Sequence, residues 1–220
     1  MQNSPYKLVI FDWDGTLMDS AGDIVDAIQQ AIGAMKLPSR DDRSVRRMIG
    51  LGLEDAFTRL FPEIERGALL QVADEYRRRF GARPQVYGQV FPGVEAMLDE
   101  LAGAHRQLAV ATGKSRRGLD KALDSTGWSA RFVATRCADE TEPKPSPKML
   151  HELLDELQLL PQQALMIGDT TYDMEMARQA GMDAVAVGWG VHEVDELAEA
   201  GALSVLDSLD KLPAWMRARC

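Results

Sequence analysis

The sequence has little cysteine, little histidine and no long apolar run. Its 220 residues include 2 cysteines and 3 histidines. Cys137 and Cys220 are too few for a disulfide framework, and the scattered histidines are typical of surface or capping positions. No apolar run approaches the roughly 18 residues of a membrane span, and the first one stops at Asp12, unlike a signal peptide. We therefore expect a protein of the reducing cytoplasm that has no membrane partner.

Basic residues are outnumbered by acidic ones. The chain has 25 lysines and arginines against 34 aspartates and glutamates, a net charge of −9 at pH 7. Nucleic-acid-binding proteins usually display basic stripes, so no nucleic acid partner is expected. An anionic substrate stays compatible with this charge, because a metal ion or a local lysine can reverse the field at one place.

Short apolar runs rich in β-branched residues predict strands that are buried on both faces. They lie at Leu8–Phe11, 108–111, 164–167 and 184–187. Between them, apolar residues recur with helical periodicity, as at 94–101 and 150–157. Strands that alternate with helices indicate an α/β fold with a Rossmann-like parallel sheet.

Residues 18–89 break this alternation. Two amphipathic helices are predicted at 24–35 and 69–80, with no convincing strand in the segment. We therefore predict an α-helical cap domain at 18–89, inserted after the first strand, and a catalytic core formed by 1–17 and 90–220.

Polar residues of a consistent kind follow the predicted strands. Ligands of parallel α/β sheets bind beyond the carboxyl ends of the strands. The candidates at these ends and in the proline-rich segment 143–147 are Asp12, Asp14, Thr112, Gly113, Lys144, Asp169 and Asp173. Taken singly, each has a plain structural explanation, such as a turn or a solvated charge. Their agreement across separate strand ends favours a functional site.

Four carboxylates that converge repel one another unless a cation lies among them or some are protonated. Oxygen-only ligands suit Mg²⁺, which also binds phosphate oxygens. A metal ion together with Lys144 would create a positive site suited to a phosphoryl group.

These residues also resemble a known family. The segments 11–17 (FDWDGTL), 112–115 (TGKS), 144–147 (KPSP) and 168–173 (GDTTYD) are similar, in order, to the four motifs of haloacid dehalogenase-like hydrolases. The resemblance covers nearly the whole chain. It is strongest to the phosphoglycolate phosphatase-like branch, in which a helical cap follows the first motif.

The resemblance implies a role for each residue. Asp12 would be the nucleophile that forms an aspartyl-phosphate, and Asp14 would be the general acid and base. Thr112 and the Gly113 amide would hold phosphate oxygens, and Lys144 would neutralise the nucleophile and the transferring group.

The same resemblance implies a Mg²⁺ site. Its ligands would be Asp12, the backbone carbonyl of Asp14 and Asp169, with Asp173 binding the metal directly or supporting the other ligands. The acid at position 14 favours a phosphate ester over a halide or phosphonate. Position 113 is a glycine in this sequence, whereas many members of the family have an asparagine at this position of the motif.

The predicted cap is less informative. Arg46 and Arg47, together with Arg43, could bind a carboxylate or second phosphate of the substrate, although a solvated helix face is the better explanation for at least one or two of them. Gly50, in the segment Gly50-Leu51-Gly52, resembles the substrate-facing loop of such caps.

The expected function is a Mg²⁺-dependent phosphatase for a small phosphorylated metabolite, with phosphoglycolate as one candidate. A phosphomutase of a hexose phosphate is the alternative, because it would use the same Asp12 and Asp14. A non-catalytic phosphoacceptor module is a third hypothesis. A monomer or a small homo-oligomer is expected.

Overall fold

A computed structural model describes residues 5–82 and 89–219. Within these ranges the chain has eight strands: β1 (Leu8–Phe11), β2 (Met18–Asp19), β3 (Gln89–Val90), β4 (Gln107–Thr112), β5 (Ala134–Cys137), β6 (Ala164–Gly168), β7 (Asp183–Val187) and β8 (Val205–Leu206). Six of them form one parallel sheet in the order β5-β4-β1-β6-β7-β8. The predicted parallel sheet is confirmed.

Ten α-helices connect and cover the strands of the described segments. They are α1 (Ala21–Ala34), α2 (Asp42–Arg46), α3 (Leu53–Leu60), α4 (Arg66–Gly81), α5 (Val94–Gly103), α6 (Arg116–Thr126), α7 (Lys148–Leu157), α8 (Thr171–Gln179), α9 (Val194–Glu199) and α10 (Leu212–Arg217). Among the described residues, no helix is both long and apolar enough to cross a membrane.

Strand β1 is buried on both faces because it lies in the middle of the sheet. Its side chains alternate between two hydrophobic clusters, one on each face. Val9 and Phe11 belong to the cluster that contains α5, whereas Leu8 and Ile10 belong to the cluster that contains α7 and α8. The continuous apolar run at 8–11 is the result of this two-sided burial.

Helices α1 to α4 pack on one another around a third hydrophobic cluster. The chain enters this helical unit through β2 and leaves it through β3, and the two strands pair antiparallel, with Met18 opposite Val90. The expectation of no strand in 18–89 was therefore wrong at its two ends. The division into a core and a cap domain stays a prediction, and residues 83–88 of the predicted cap lie outside the described residues.

Helix α6 has capping residues at both ends. Ser115 caps α6 and accepts a hydrogen bond from the Gly118 amide, and Gly127 ends that helix in the left-handed region. The residue that precedes α7 at its N-cap position is Pro147. The Cys137 thiol is buried and free, and Cys220 lies outside the described residues.

Candidate active site

Three neighbouring strands deliver the candidate residues to one edge of the sheet. Strand β1 pairs with β4 on one side and β6 on the other, all in parallel. Asp12 follows β1, Thr112 ends β4, and Asp169 follows β6. The strand-end rule therefore brings together residues that are far apart in the sequence.

Asp12, Asp169 and Asp173 form a buried acidic cluster. Each offers a carboxylate oxygen, and these oxygens lie within 4.8 Å of one another. All three residues are almost completely buried, with at most 1% of their surface exposed. Repulsion at such distances in a buried site makes a nearby cation necessary if all three are ionised.

Local structure fixes two of these carboxylates. Asp173 occupies the third position of α8, where it accepts hydrogen bonds from the amide and hydroxyl of Thr170 at 3.1 and 2.7 Å. This is one half of a capping box, in which Thr170 also caps the helix. Asp169 accepts hydrogen bonds from the Thr16 hydroxyl at 2.8 Å and from the Val191 amide at 2.9 Å.

Lys144 supplies one positive charge to the cluster. Its ammonium nitrogen lies 2.7 Å from a carboxylate oxygen of Asp12 and 2.6 Å from one of Asp173, and its side chain is fully buried. The chain turns at Lys144, where the Ser146 amide donates a hydrogen bond to the carbonyl of Pro143. If all three carboxylates are ionised, they and the one ammonium leave a net charge of −2 in the buried cluster.

Burial determines the ionisation of these groups. It raises the pKa of Asp12 to about 7, although Lys144 opposes the rise and Asp173 adds to it. Burial likewise raises the pKa of Asp169 well above its usual range, and the neighbouring carboxylates Asp12 and Asp173 raise it further. Burial alone would lower the pKa of Lys144, but the two carboxylates it contacts raise it above its usual value, so this residue stays charged.

Asp14 has different partners from Asp12. Both of its carboxylate oxygens accept hydrogen bonds from the Lys114 ammonium, at 2.7 and 2.8 Å, and one accepts a bond from the Ser20 hydroxyl at 2.6 Å. Sequence reasoning gave Lys114 no role, although it lies in the segment TGKS. Its ammonium also lies 5.5 Å from the ring centre of Phe80 in α4.

The acidic cluster fits a divalent cation. Its donors are oxygens, which Mg²⁺ prefers, and a charge of +2 would balance the cluster. Asp12 Oδ2 is buried and has no hydrogen-bond partner among the described residues. The side chain of Asp14 lies outside the cluster, so any ligand atom of Asp14 would come from its backbone. Which residues bind a metal stays a prediction.

The segment Gly50-Leu51-Gly52 lies directly over the predicted phosphate-binding loop. A side chain at Gly113 would place its Cβ 2.5 Å from the Gly50 carbonyl oxygen and 2.6 Å from that of Leu51. Gly50 itself adopts a φ of +99° and faces Thr170. Glycine at 113 in place of asparagine is therefore explained by the close approach of the helical unit.

Arg46 and Arg47 bond residues next to the acidic cluster and not its carboxylates. Arg46 donates to the Gly190 carbonyl at 3.2 Å, and Arg47 forms an ion pair with Glu196 at 2.9 Å. The Arg47 carbonyl oxygen accepts a hydrogen bond from the Tyr172 hydroxyl at 3.0 Å. These contacts join the end of α2 to the loop after β7, to α8 and to α9. Their role in substrate specificity stays a prediction.

A cavity of about 910 Å³ opens between the sheet edge and the helical unit. Its inner end is lined by Asp12, Asp14, Thr112 and Gly113. Arg46 and Arg47 are absent from the described residues that line it; they line a smaller pocket of about 190 Å³ with residues 188–194. The larger cavity is therefore the place where a substrate would meet the two aspartates.

This arrangement of motifs is characteristic of one family. The model of the haloacid dehalogenase-like hydrolases matches residues 9–187. The chain belongs to this family. The resemblance predicted from the four motifs is therefore confirmed, and with it the assignment as a hydrolase.

Individual relatives cover nearly the whole chain. A protein of Dickeya dadantii named probable phosphatase IndB is 37% identical over 209 residues, which are 93% of this chain and 91% of that protein. A phosphoglycolate phosphatase of Rhodospirillum rubrum is 30% identical over 219 residues, 96% of this chain and 90% of the relative. The crystal structure of a predicted phosphatase from Clostridium acetobutylicum is 26% identical, with a TM-score of 0.88 over 97% of this chain and 99% of that one.

Proposed function

We propose that this haloacid dehalogenase-like hydrolase is a Mg²⁺-dependent phosphatase that hydrolyses a small phosphomonoester through an aspartyl-phosphate on Asp12. The observation that carries the proposal is the pair of aspartates at the inner end of the cavity. Asp12 lies in the acidic cluster beside Lys144, whereas Asp14 is held apart by Lys114 and Ser20. Two carboxylates in such different surroundings suit two different roles.

In the first step, an Asp12 carboxylate oxygen attacks phosphorus and the bond from phosphorus to the alcohol oxygen breaks. Asp14, in its protonated form, gives its proton to the departing alcohol oxygen. In the second step, Asp14 takes a proton from a water molecule, which attacks phosphorus and releases inorganic phosphate from Asp12. Covalent catalysis of this kind divides one difficult displacement into two easier ones.

The remaining residues position the phosphoryl group. Thr112 and the Gly113 amide would bind its oxygens, and Lys144 would offset the negative charge of Asp12 as the group approaches. Mg²⁺, held by Asp12, Asp169 and the Asp14 carbonyl with the help of Asp173, would neutralise charge on the transferring group. Phosphoryl transfer depends largely on positioning and charge neutralisation, which these groups supply.

The helical unit would act as a cap over the site. The approach of Gly50 and Leu51 to Gly113 supports this function, because it places the helical unit against the predicted phosphate-binding loop. Exclusion of water by a cap would strengthen the electrostatic interactions inside the site.

The test is phosphate release with Mg²⁺ from a panel that includes phosphoglycolate and hexose phosphates. We expect turnover by the native chain and by Asp19→Asn, an exposed control next to the site. Asp12→Asn should abolish it. Asp14→Asn should reduce turnover about 10²- to 10⁴-fold, the usual contribution of general acid–base catalysis, while a hydroxylamine-labile phosphoprotein still forms.

Two other results would replace the proposal. An isomerised sugar phosphate without inorganic phosphate would establish a phosphomutase, and a stable phosphoprotein without turnover would establish a phosphoacceptor module. Unchanged turnover in Asp12→Asn, with deamidation excluded, would remove Asp12 as the nucleophile.

A further inference from the structure

The cavity beside the reacting aspartates is much larger than a small hydroxy acid needs. Its volume is about 910 Å³, near the upper end of the roughly 300–1,000 Å³ of pockets that bury ligands of drug size. The two-carbon glycolate would fill only its inner end and would leave the rest to water. The size of the cavity therefore favours a larger alcohol part.

The helical unit lines this cavity with apolar side chains and with the charged residues Glu54, Asp55, Arg66, Arg77 and Arg78. This apolar wall consists of Ile24 and Ile28 of α1, Leu53 of α3, and Tyr76 and Phe80 of α4. Ile24, Ile28 and Phe80 are buried already, and the rings of Tyr76 and Phe80 stack with their centres 5.4 Å apart. A carboxylate placed directly against this wall would lose hydration, which only the arginines and lysines elsewhere in the cavity could offset.

The apolar wall begins close to the predicted general acid. Lys114 bonds both oxygens of Asp14 and lies 5.5 Å from the ring centre of Phe80. Phe80 is in turn stacked on Tyr76. Lys114 therefore links Asp14 to the two stacked rings, and all four residues line the same cavity.

We propose that the natural substrate is a phosphomonoester whose alcohol part carries an apolar chain or ring several carbons larger than glycolate, bound against the apolar wall. This inference rests on the proposed phosphatase function. Burial of this chain or ring removes apolar surface from water, which favours binding in proportion to the area buried. Contact with the apolar wall would then favour such substrates over smaller ones.

The test compares ethyl, butyl, hexyl and 2-phenylethyl phosphate with phosphoglycolate, in the presence of Mg²⁺. The first four compounds are esters of uncharged primary alcohols, so their leaving groups have similar basicity. Differences in kcat/KM among them therefore report on binding of the apolar part of the alcohol. Full burial of one methylene corresponds to roughly a fourfold gain. We expect kcat/KM to rise at least tenfold from ethyl to hexyl phosphate and to exceed the value for phosphoglycolate.

A variant of the apolar wall then tests whether the apolar part of the alcohol binds there. Tyr76 is half-buried, so Tyr76→Ala should fold; Gln71→Ala, at an exposed position of the same helix, is the matched control. Tyr76→Ala should lower the ratio of kcat/KM for hexyl over ethyl phosphate at least threefold. Gln71→Ala should leave this ratio within about a factor of 1.5.

Each failure has its own meaning. Phosphate release with a flat or falling series, or with phosphoglycolate preferred, would overturn this inference and leave the phosphatase function standing. An unchanged ratio in Tyr76→Ala would overturn the assignment to the apolar wall. Absence of phosphate release from every ester would overturn the phosphatase function, and this inference with it.

Discussion

The ammonium nitrogen of Lys144 lies 2.7 Å from a carboxylate oxygen of Asp12, and neither side chain has more than 1% of its surface exposed. Lys144 also contacts Asp173 at 2.6 Å. It is the one cation in contact with the acidic cluster among the described residues. The stability of the sheet edge therefore depends on this one charge.

Lys144→Met should destabilise the fold strongly. Removal of one partner of a buried ion pair leaves an uncompensated charge and costs about 3–5 kcal/mol. We expect the free energy of unfolding in urea to fall by about this amount in metal-free buffer. Lys148→Met, at an exposed position four residues later, is the control and should change it little. The double variant Lys144→Met/Asp12→Asn should recover part of the loss; no recovery would contradict the charge argument.

Mg²⁺ should stabilise the folded chain. A ligand that binds only the native state at 100 times its Kd adds about 2.7 kcal/mol, which for a chain of this length is a rise in Tm of roughly 5–10 °C. Calorimetry with and without Mg²⁺ would measure it. Asp169→Asn should lose the shift, whereas Asp155→Asn, an exposed change in α7, should keep it. An equal shift in both variants would show that Mg²⁺ binds elsewhere.

Gly113→Ala should disturb the contact between the helical unit and the sheet. Its Cβ would meet the carbonyl oxygens of Gly50 and Leu51 at 2.5 and 2.6 Å, and overpacking of this kind costs about 1–3 kcal/mol. We expect lower kcat/KM together with a lower unfolding free energy. Gly33→Ala is the matched control, because nothing lies within 4 Å of its Cβ in α1, and it should stabilise by roughly 0.5–1 kcal/mol. Equal effects of the two variants would contradict the close approach.

Arg47→Ala tests whether the guanidinium contacts the substrate or only joins the end of α2 to α9. Arg47 and Glu196 are each more than a third exposed, and ion pairs of this kind contribute about 0.2–1 kcal/mol. From its position we expect KM to change less than twofold and a double-mutant cycle with Glu196→Ala to give a coupling energy in this small range. A tenfold rise in KM would restore Arg47 as a specificity residue.

The Cys137 thiol should be inert in the native protein. Burial raises its pKa to about 12, so only about one part in 10⁴ would be the reactive thiolate at pH 8. In Cys220→Ser, Cys137 is the remaining cysteine, and an aromatic disulfide reagent should not react with it before unfolding and should titrate one thiol afterwards. Rapid reaction of the native variant would show that β5 opens.

The parallel core was predictable because two-sided burial imposes continuous apolar runs. Leu8–Phe11 was predicted with its observed bounds for this reason. Strand β5 has the sequence ATRC, whose central threonine and arginine are only partly buried, and β8 has two residues. Neither leaves a periodic signal, so both were missed. The two-residue strands β2 and β3 are defined by their mutual pairing and not by their composition.

The candidate site was predictable where chemistry is carried by residue type at a strand end. Asp12, Asp169 and Asp173 come together as the strand-end rule required. Lys114 was not found, because its role depends on contacts with Asp14 and Phe80 that join distant segments. The positions of Arg46 and Arg47 depend on how the helical unit meets the sheet, which no local pattern encodes.

The pairing of β2 with β3 places the exit and the return of the helical unit side by side, at Met18 opposite Val90. A segment whose two ends meet can be exchanged for another of different length without any change in the order of the six parallel strands. The two short strands thus hold the ends of the inserted segment together. We expect the inserted segment to determine which molecules reach the aspartates, while the residues of the sheet edge keep their positions. Transplantation of a foreign segment between Asp19 and Gln89 should therefore alter substrate choice and preserve the chemistry.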